Sequence, residues 1–228
     1  MIPSPAHDPQ RAASLPQKGA RSALAQLLHA LNQPLTGLQC SMEVALASPR
    51  TAEQYARSLR EGLELTERMR TLVEAIREVA EVEAEKDAQM EAIEVKTLLR
   101  EVVDDLAPVA EANRVRITLD CSAASLLEAR AARPTMAIAA FRLLESALSL
   151  AAGGSELRIE AGAAPAWVSM RFQWNGGRPP DAFSRPELGL LMAQAGWERV
   201  GAQWKRQRIE TLETVTIRLP AFSGSGTL

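Results

Sequence analysis

Reactive and bulky residues are scarce in this 228-residue chain, which holds two cysteines, two histidines and only 4% aromatics. Cys40 and Cys121 lie far apart, with no cysteine or histidine at metal-ligand spacing, so neither a disulfide framework nor a zinc site is expected. Both read as small core residues of a reduced cytoplasmic protein. Charge of one sign is missing too: 26 basic against 28 acidic residues leave a net charge of -2. A nucleic-acid binder needs a cationic surplus to displace phosphate counterions, so neither DNA nor RNA is an expected partner. No apolar run approaches the roughly 18 residues of a membrane span, and no membrane partner is expected. Residues 1–20 include Pro3, Pro5, Pro9 and Pro16 without an apolar core, and read as a disordered leader and not as a signal peptide. Residues 222–228 read as a flexible tail. What remains is 46% apolar and 24% charged, a soluble globular composition able to bury a core.

The first organised stretch, 21–85, reads as helical. Leu24, Leu28, Leu31, Leu35, Leu38, Met42 and Ala45 recur at alternating steps of four and three, a heptad seam that buries one narrow face against partner helices. Ser48 followed by Pro49 offers an N-cap for a second helix, which carries Tyr55, Leu59, Leu63, Thr66, Met69, Val73, Ile76 and Val79 toward the same seam. The short connection predicts an antiparallel hairpin. Two helices make a poor core, so a second copy of the chain is expected to complete a homodimeric four-helix bundle. The charged stretch 81–87 marks the expected boundary.

Residues 92–221 alternate between elements. A helix over about 94–112 precedes a period-two strand at 115–119, and Pro134 opens a helix that Gly153 and Gly154 close. Strands follow at 157–159 and 168–172, then a short helix from Pro186 to Val200, a hairpin arm around Trp204 and a closing strand at 215–219. The predicted fold class is α+β: a helical hairpin, then a two-layer α/β sandwich.

The run Leu28-His29-Ala30-Leu31-Asn32-Gln33-Pro34-Leu35-Thr36 resembles the H-box of sensor histidine kinases, in the subgroup that reads His-Glu-Leu-Asn-Gln-Pro-Leu. Residues 141–148 resemble that family's N-box helix and Leu188-Gly189-Leu190 its last glycine-rich box, so the resemblance spans about 23–220. It implies a phosphoacceptor histidine, His29, on the hairpin and an ATP-binding fold in the second half. The functional letters of that half are altered. Arg142 and Ser146 stand where the resemblance implies asparagines, the second of them a magnesium ligand, and serine is the poorer ligand for a hard cation. Trp174 replaces the aspartate that would read adenine, beside Gly176, and an indole cannot accept that hydrogen bond. Glu187 precedes Gly189 and would bring negative charge toward phosphates, and few residues separate Gly177 from Gly189 for a lid. Trp174 and Trp204 are expected to pack together in the vacated pocket. No cofactor and no metal are expected.

By the heptad reading Leu28 and Leu31 face the bundle, which leaves His29 on a solvated flank with Gln33 one turn away. A solvated imidazole can accept and pass on a phosphoryl group. The acidic residue that the resemblance places after it, as base for autophosphorylation, is Ala30 here, and losing a base costs about two to four orders of magnitude in rate. Asn32 and Gln33 are the expected supporting residues. The sequence thus points to a cytoplasmic histidine phosphotransfer protein of a two-component phosphorelay, with response-regulator receiver domains as partners. A silent pseudokinase that binds and regulates a receiver or kinase is the alternative, and an active kinase the third. His7, in the leader, is expected to be inert. Arg199, Lys205, Arg206 and Arg208 read as a solvated basic face.

Overall fold

The computed structural model describes residues 18–84, 89–121, 127–164, 166–177 and 184–222. His7, residues 85–87 of the charged boundary and residues 178–183, within the stretch expected to be too short for a lid, lie outside them. The chain forms a two-helix hairpin followed by a mixed α/β sheet domain. Helices α1 (Lys18–Ala47) and α2 (Ala52–Ala84) make the hairpin. Ser48 and Pro49 do not start α2. Thr51 does: its Oγ1 accepts from the Gln54 N–H at 3.2 Å while Gln54 Oε1 accepts from the Thr51 N–H at 2.9 Å, a reciprocal capping box.

After the hairpin come β1 (Glu91–Glu94), α3 (Val95–Asp105), α4 (Ala107–Asn113), β2 (Arg116–Asp120), β3 (Glu128–Ala131) and α5 (Arg133–Leu150). Then follow β4 (Glu156–Ala164), β5 (Trp167–Asn175), α6 (Arg185–Arg199), β6 (Gln203–Ile209) and β7 (Leu212–Pro220). The single helix expected at 94–112 is two, because Pro108 sits in the first turn of α4 and cannot continue the ladder of α3 past Leu106. The pair β1–β3 escaped the sequence reading: Glu-Ala-Ile-Glu and Glu-Ala-Arg-Ala carry almost no β-branched signal. They form a two-stranded antiparallel sheet beside the main one.

The main sheet has the order β2-β4-β5-β7-β6, parallel only between β2 and β4. Its central strands alternate strictly. Leu157 and Ile159, Val168, Met170, Phe172 and Trp174, and Val215, Ile217 and Leu219 turn to one face, where α3, α5 and α6 close over them in a single core. The other face carries polar residues such as Arg158, Glu160, Arg171 and Thr216, as suits a largely antiparallel sheet covered on one side.

Two corrections concern single residues. Cys40 is exposed on α1 and Cys121 half-buried, so only the second resembles a core cysteine; burial raises its thiol pKa. Trp174 is fully buried in the sheet core, whereas Trp204 is half-buried on β6 beside α6. Trp174 pairs with Glu213 of β7 and Trp204 with Ile217, so their α-carbons lie two strands and four residues apart, about 16 Å by strand geometry. The two indoles do not share a pocket.

Helices α5 and α6 meet along small residues at matched seven-residue spacing. A methyl added at Gly189 would sit 2.1 Å from Ser146 Oγ, and one at Gly196 would sit 2.9 Å from Ala139 Cβ. The second clash has no rotatable atom to relieve it. Gly196→Ala is therefore expected to cost about 1–3 kcal/mol, while Gly162→Ala, whose methyl meets open space, should change stability by less than about 1 kcal/mol. Urea unfolding followed by tryptophan fluorescence measures both, and equal effects would refute the seam.

Candidate functional site

His29 sits on α1 with its side chain exposed, on the flank it shares with Gln26 and Gln33. Among the described residues no side chain hydrogen-bonds the imidazole. Asn32 and Gln33 are also exposed; the Asn32 carbonyl accepts from Thr36 Oγ1 at 2.9 Å. Pro34 has no N–H to give the Ala30 carbonyl, so the helical ladder is interrupted one turn after His29.

Within one chain a second stripe is buried, and the seam expected to meet a second copy is left partly open. Leu28, Leu35 and Met42 are 47%, 51% and 56% exposed. The buried residues are Ala23, Leu27, Ala30 and Pro34, a second stripe at the same four-three spacing, displaced by one residue. Leu27 and Ala30 join Leu72, Ala75 and Val79 of α2 and Leu188 of α6 in one cluster. The sheet domain is thus seated on the hairpin beside His29, through the residue that follows it. Ala30 is fully buried, and a carboxylate in its place would enter an apolar contact without a partner.

Three of the altered kinase positions come together. Arg142, Ser146 and Gly189 line a cleft of about 670 Å³ between α2, α5 and the start of α6. Its walls add Glu67, Glu74, Glu78 and Glu145 against Arg68, Arg70 and Arg185, so its charge sums to zero. Arg142 Nη2 donates to Glu78 Oε2 at 2.6 Å, tying α5 to α2. Arg70 pairs with Glu67, whose carboxyl that hydrogen bond holds below its ordinary range.

Trp174, Gly176 and Glu187 lie outside the cleft. Gly176 closes a backbone junction, donating to the Thr211 carbonyl at 2.7 Å. Glu187 faces β6 instead of the cleft: both its oxygens accept from Arg206, at 2.6 and 2.8 Å. Arg206 also donates to the buried Glu213 at 3.1 Å, and Arg208 pairs with the same carboxylate at 3.2 Å. These hydrogen bonds, Glu187 first, raise the guanidinium pKa further above its ordinary range despite burial. The expected basic face is therefore half consumed by a network that pins the start of α6 to the sheet. The sequence reading missed Leu27, Leu188 and Glu78, although the stripe 23, 27, 30, 34 was present as a pattern.

Comparison with known proteins agrees with this architecture. Residues 20–85 match the His Kinase A (phospho-acceptor) domain. The fold is that of histidine kinases, and the hairpin carries the family match. Among solved structures it is similar to the Acinetobacter baumannii histidine kinase AdeS, at 17% identity and a TM-score of 0.56 over 85% of this chain and 98% of that one. It is also similar to the histidine kinase ThkA, solved in complex with the response regulator TrrA, at 16% identity and a TM-score of 0.58 over 88% and 61% of the two chains. A third likeness is to ShkA, solved with AMPPNP, at 18% identity and a TM-score of 0.55 over 88% and 46%. At these identities the likeness establishes the fold. No curated protein matches the sequence. No helix among the described residues is long and apolar enough to cross a membrane.

The apolar cluster, and not the ion pair, is expected to hold the two parts together. Arg142 and Glu78 are 35% and 42% exposed, so Arg142→Gln should cost less than about 1 kcal/mol. Ala30→Glu forces an unpaired carboxylate into the seam and should cost about 2 kcal/mol or more, freeing α6. Hydrogen exchange of the α6 amides discriminates: equal loosening in both variants would show that the cluster is not the fastening.

Proposed function

We propose that this protein is a histidine phosphotransfer protein of a two-component phosphorelay, in which His29 exchanges phosphate with receiver aspartates and no ATP-dependent autophosphorylation occurs. The observation that carries this reading is the pairing of an exposed His29 with a fully buried Ala30. A ring nitrogen of His29 attacks the acyl phosphate of a receiver through its lone pair; the N–P bond forms, the P–O bond to the aspartate breaks and the carboxylate leaves. Solvent takes the ring's other proton, and delivery to a second receiver reverses these steps. The receiver's acyl phosphate is already an activated donor, so exchange depends less on a positioned base, whereas the base implied for autophosphorylation is replaced by a methyl group. Asn32 and Gln33, exposed on the same helix, would orient the incoming acyl phosphate.

Magnesium nucleotide does not fit the cleft. Ser146 Oγ lies against Gly189 where α5 and α6 close; Arg142 is paired with Glu78; and four glutamates line the walls. The cleft's four arginines are offset by these glutamates, so it offers phosphates no surplus of positive charge, and the residue implied to read adenine is a tryptophan within the sheet core.

The active form is proposed to be a homodimer. Leu28, Leu35 and Met42 of α1 and Leu59 and Leu63 of α2, the last two each 70% exposed, leave the hairpin with an open apolar face. A second copy laid on it completes the four-helix bundle. The competing reading, a scaffold with His29 silent, draws on the lack of any described side chain holding the imidazole.

Incubation with a phosphorylated receiver is expected to place acid-labile phosphate on the wild type and none on His29→Gln; equal labelling of both would end the phosphotransfer reading, and binding without label would favour the scaffold. Separately, Leu59→Asp with Leu63→Asp should convert the dimer to monomer in sedimentation velocity. A wild type that already sediments as a monomer would refute the bundle.

A further inference from the structure

We propose that the groove enclosed by α1, α6 and β6 is the receiver-specificity pocket of this protein, and that it accepts an apolar side chain from the receiver docked on His29. The inference rests on the phosphotransfer reading for its partner and on separate observations for its site. The groove measures about 180 Å³, and its walls include Gln26 of α1, Leu188, Leu190 and Leu191 of α6, and Trp204 of β6. Gln26 precedes His29 by three residues on the same flank, so the groove begins about 4.5 Å along the helix from the phosphoacceptor. A standard protein interface covers about 800 Å² on each partner, a disc roughly 16 Å in radius. A receiver centred on His29 therefore overlies the groove on geometric grounds alone.

The chemistry of the occupant follows from the rim. Glu187 and Arg206 satisfy each other through two hydrogen bonds, and Gln194 donates to Glu198 at 2.8 Å. These polar groups are engaged within the chain, so an incoming charge meets no unpaired counter-charge there and would be desolvated without return. The floor is apolar: Leu188 and Leu190 are buried, and Leu191 and Trp204 are half-buried with part of each side chain open. Half-exposed aromatic and aliphatic surface ringed by satisfied polar groups is the arrangement in which an apolar anchor gains most from docking. Recognition built this way depends little on salt, unlike recognition by opposed charge.

The test uses the full chain, phosphoramidate as a small donor that needs no docking, and a panel of purified receiver domains from the same genome. His29 labelling by phosphoramidate is the internal reference against which transfer to each receiver is normalised. Gln26→Trp, a substitution at an exposed position that fills the groove from α1, and Trp204→Ala, which empties one wall, are each expected to weaken binding of the transferring receiver about tenfold or more. The loss should appear in the receiver concentration at half-maximal transfer and not in the maximal rate. Wild-type affinity should change by less than about threefold between low and high salt. Unchanged receiver affinity in Gln26→Trp, with His29 still labelled, overturns the groove and leaves phosphotransfer standing. Wild-type protein that takes no label from either donor while both variants lose receiver binding overturns phosphotransfer and leaves the groove as a docking site. A steep fall of wild-type affinity with salt would show that charge, and not an apolar anchor, selects the partner.

Discussion

The contact of Leu188 with Leu27 and Ala30 fixes where the sheet domain sits, and most of what is distinctive about the protein follows from that placement. Helix α6 belongs to the sheet domain, yet its first turns join the cluster of α1 one residue from His29. Ala30 is fully buried in that cluster. The methyl group of Ala30 therefore has two consequences at one position: it removes the carboxylate implied for autophosphorylation, and it makes room for the domain that would have supplied the nucleotide. A glutamate there would have to be desolvated inside the cluster, at a cost comparable to a large share of a domain's net stability.

Charge is arranged to support the same placement. Glu187, Arg206, Arg208 and Glu213 form a closed network across α6, β6 and β7, in which the buried Glu213 has two guanidinium partners. Such a network adds little net stability compared with an apolar equivalent, but each member would be costly to orphan, so it fixes the register of α6 on the sheet. Glycine and serine at the α5–α6 seam then let the two helices close until no ligand-sized gap remains between Ser146 and Gly189. The wide cleft that survives outside this seam is lined by equal numbers of glutamates and arginines, which serves a solvated boundary between two domains better than an anion site.

Much of the fold was legible from the chain. The hairpin, the long α5, the strands β4, β5 and β7 and the helix α6 all carry strong periodicity, because each buries one face and the alternation records it. The elements that were missed lack that record. Strands β1 and β3 are short, charged and alanine-rich, held by pairing with each other and by backbone bonds such as Val95 N–H to the Leu127 carbonyl. The break at Leu106 was signalled by Pro108, and the true cap by Thr51 and Gln54.

The H-box text, the histidine at its head and the loss of the acidic neighbour are properties of the sequence, since each depends only on which residue follows which. Exposure of His29 was determined there too, because helical spacing alone puts it off both apolar stripes. Which stripe is covered by the chain itself, and which is left open, was decided only by the tertiary structure. Residues 24, 28, 31 and 35 and residues 23, 27, 30 and 34 have the same period, and periodicity cannot say whether an apolar face meets α6 or a second copy of the chain. The destinations of Glu187 and Trp174 were likewise beyond the sequence. Whether a carboxylate points at a cleft or at an arginine nineteen residues away, and whether an indole fills a pocket or a core, depends on strand register and helix seating, which no local pattern encodes.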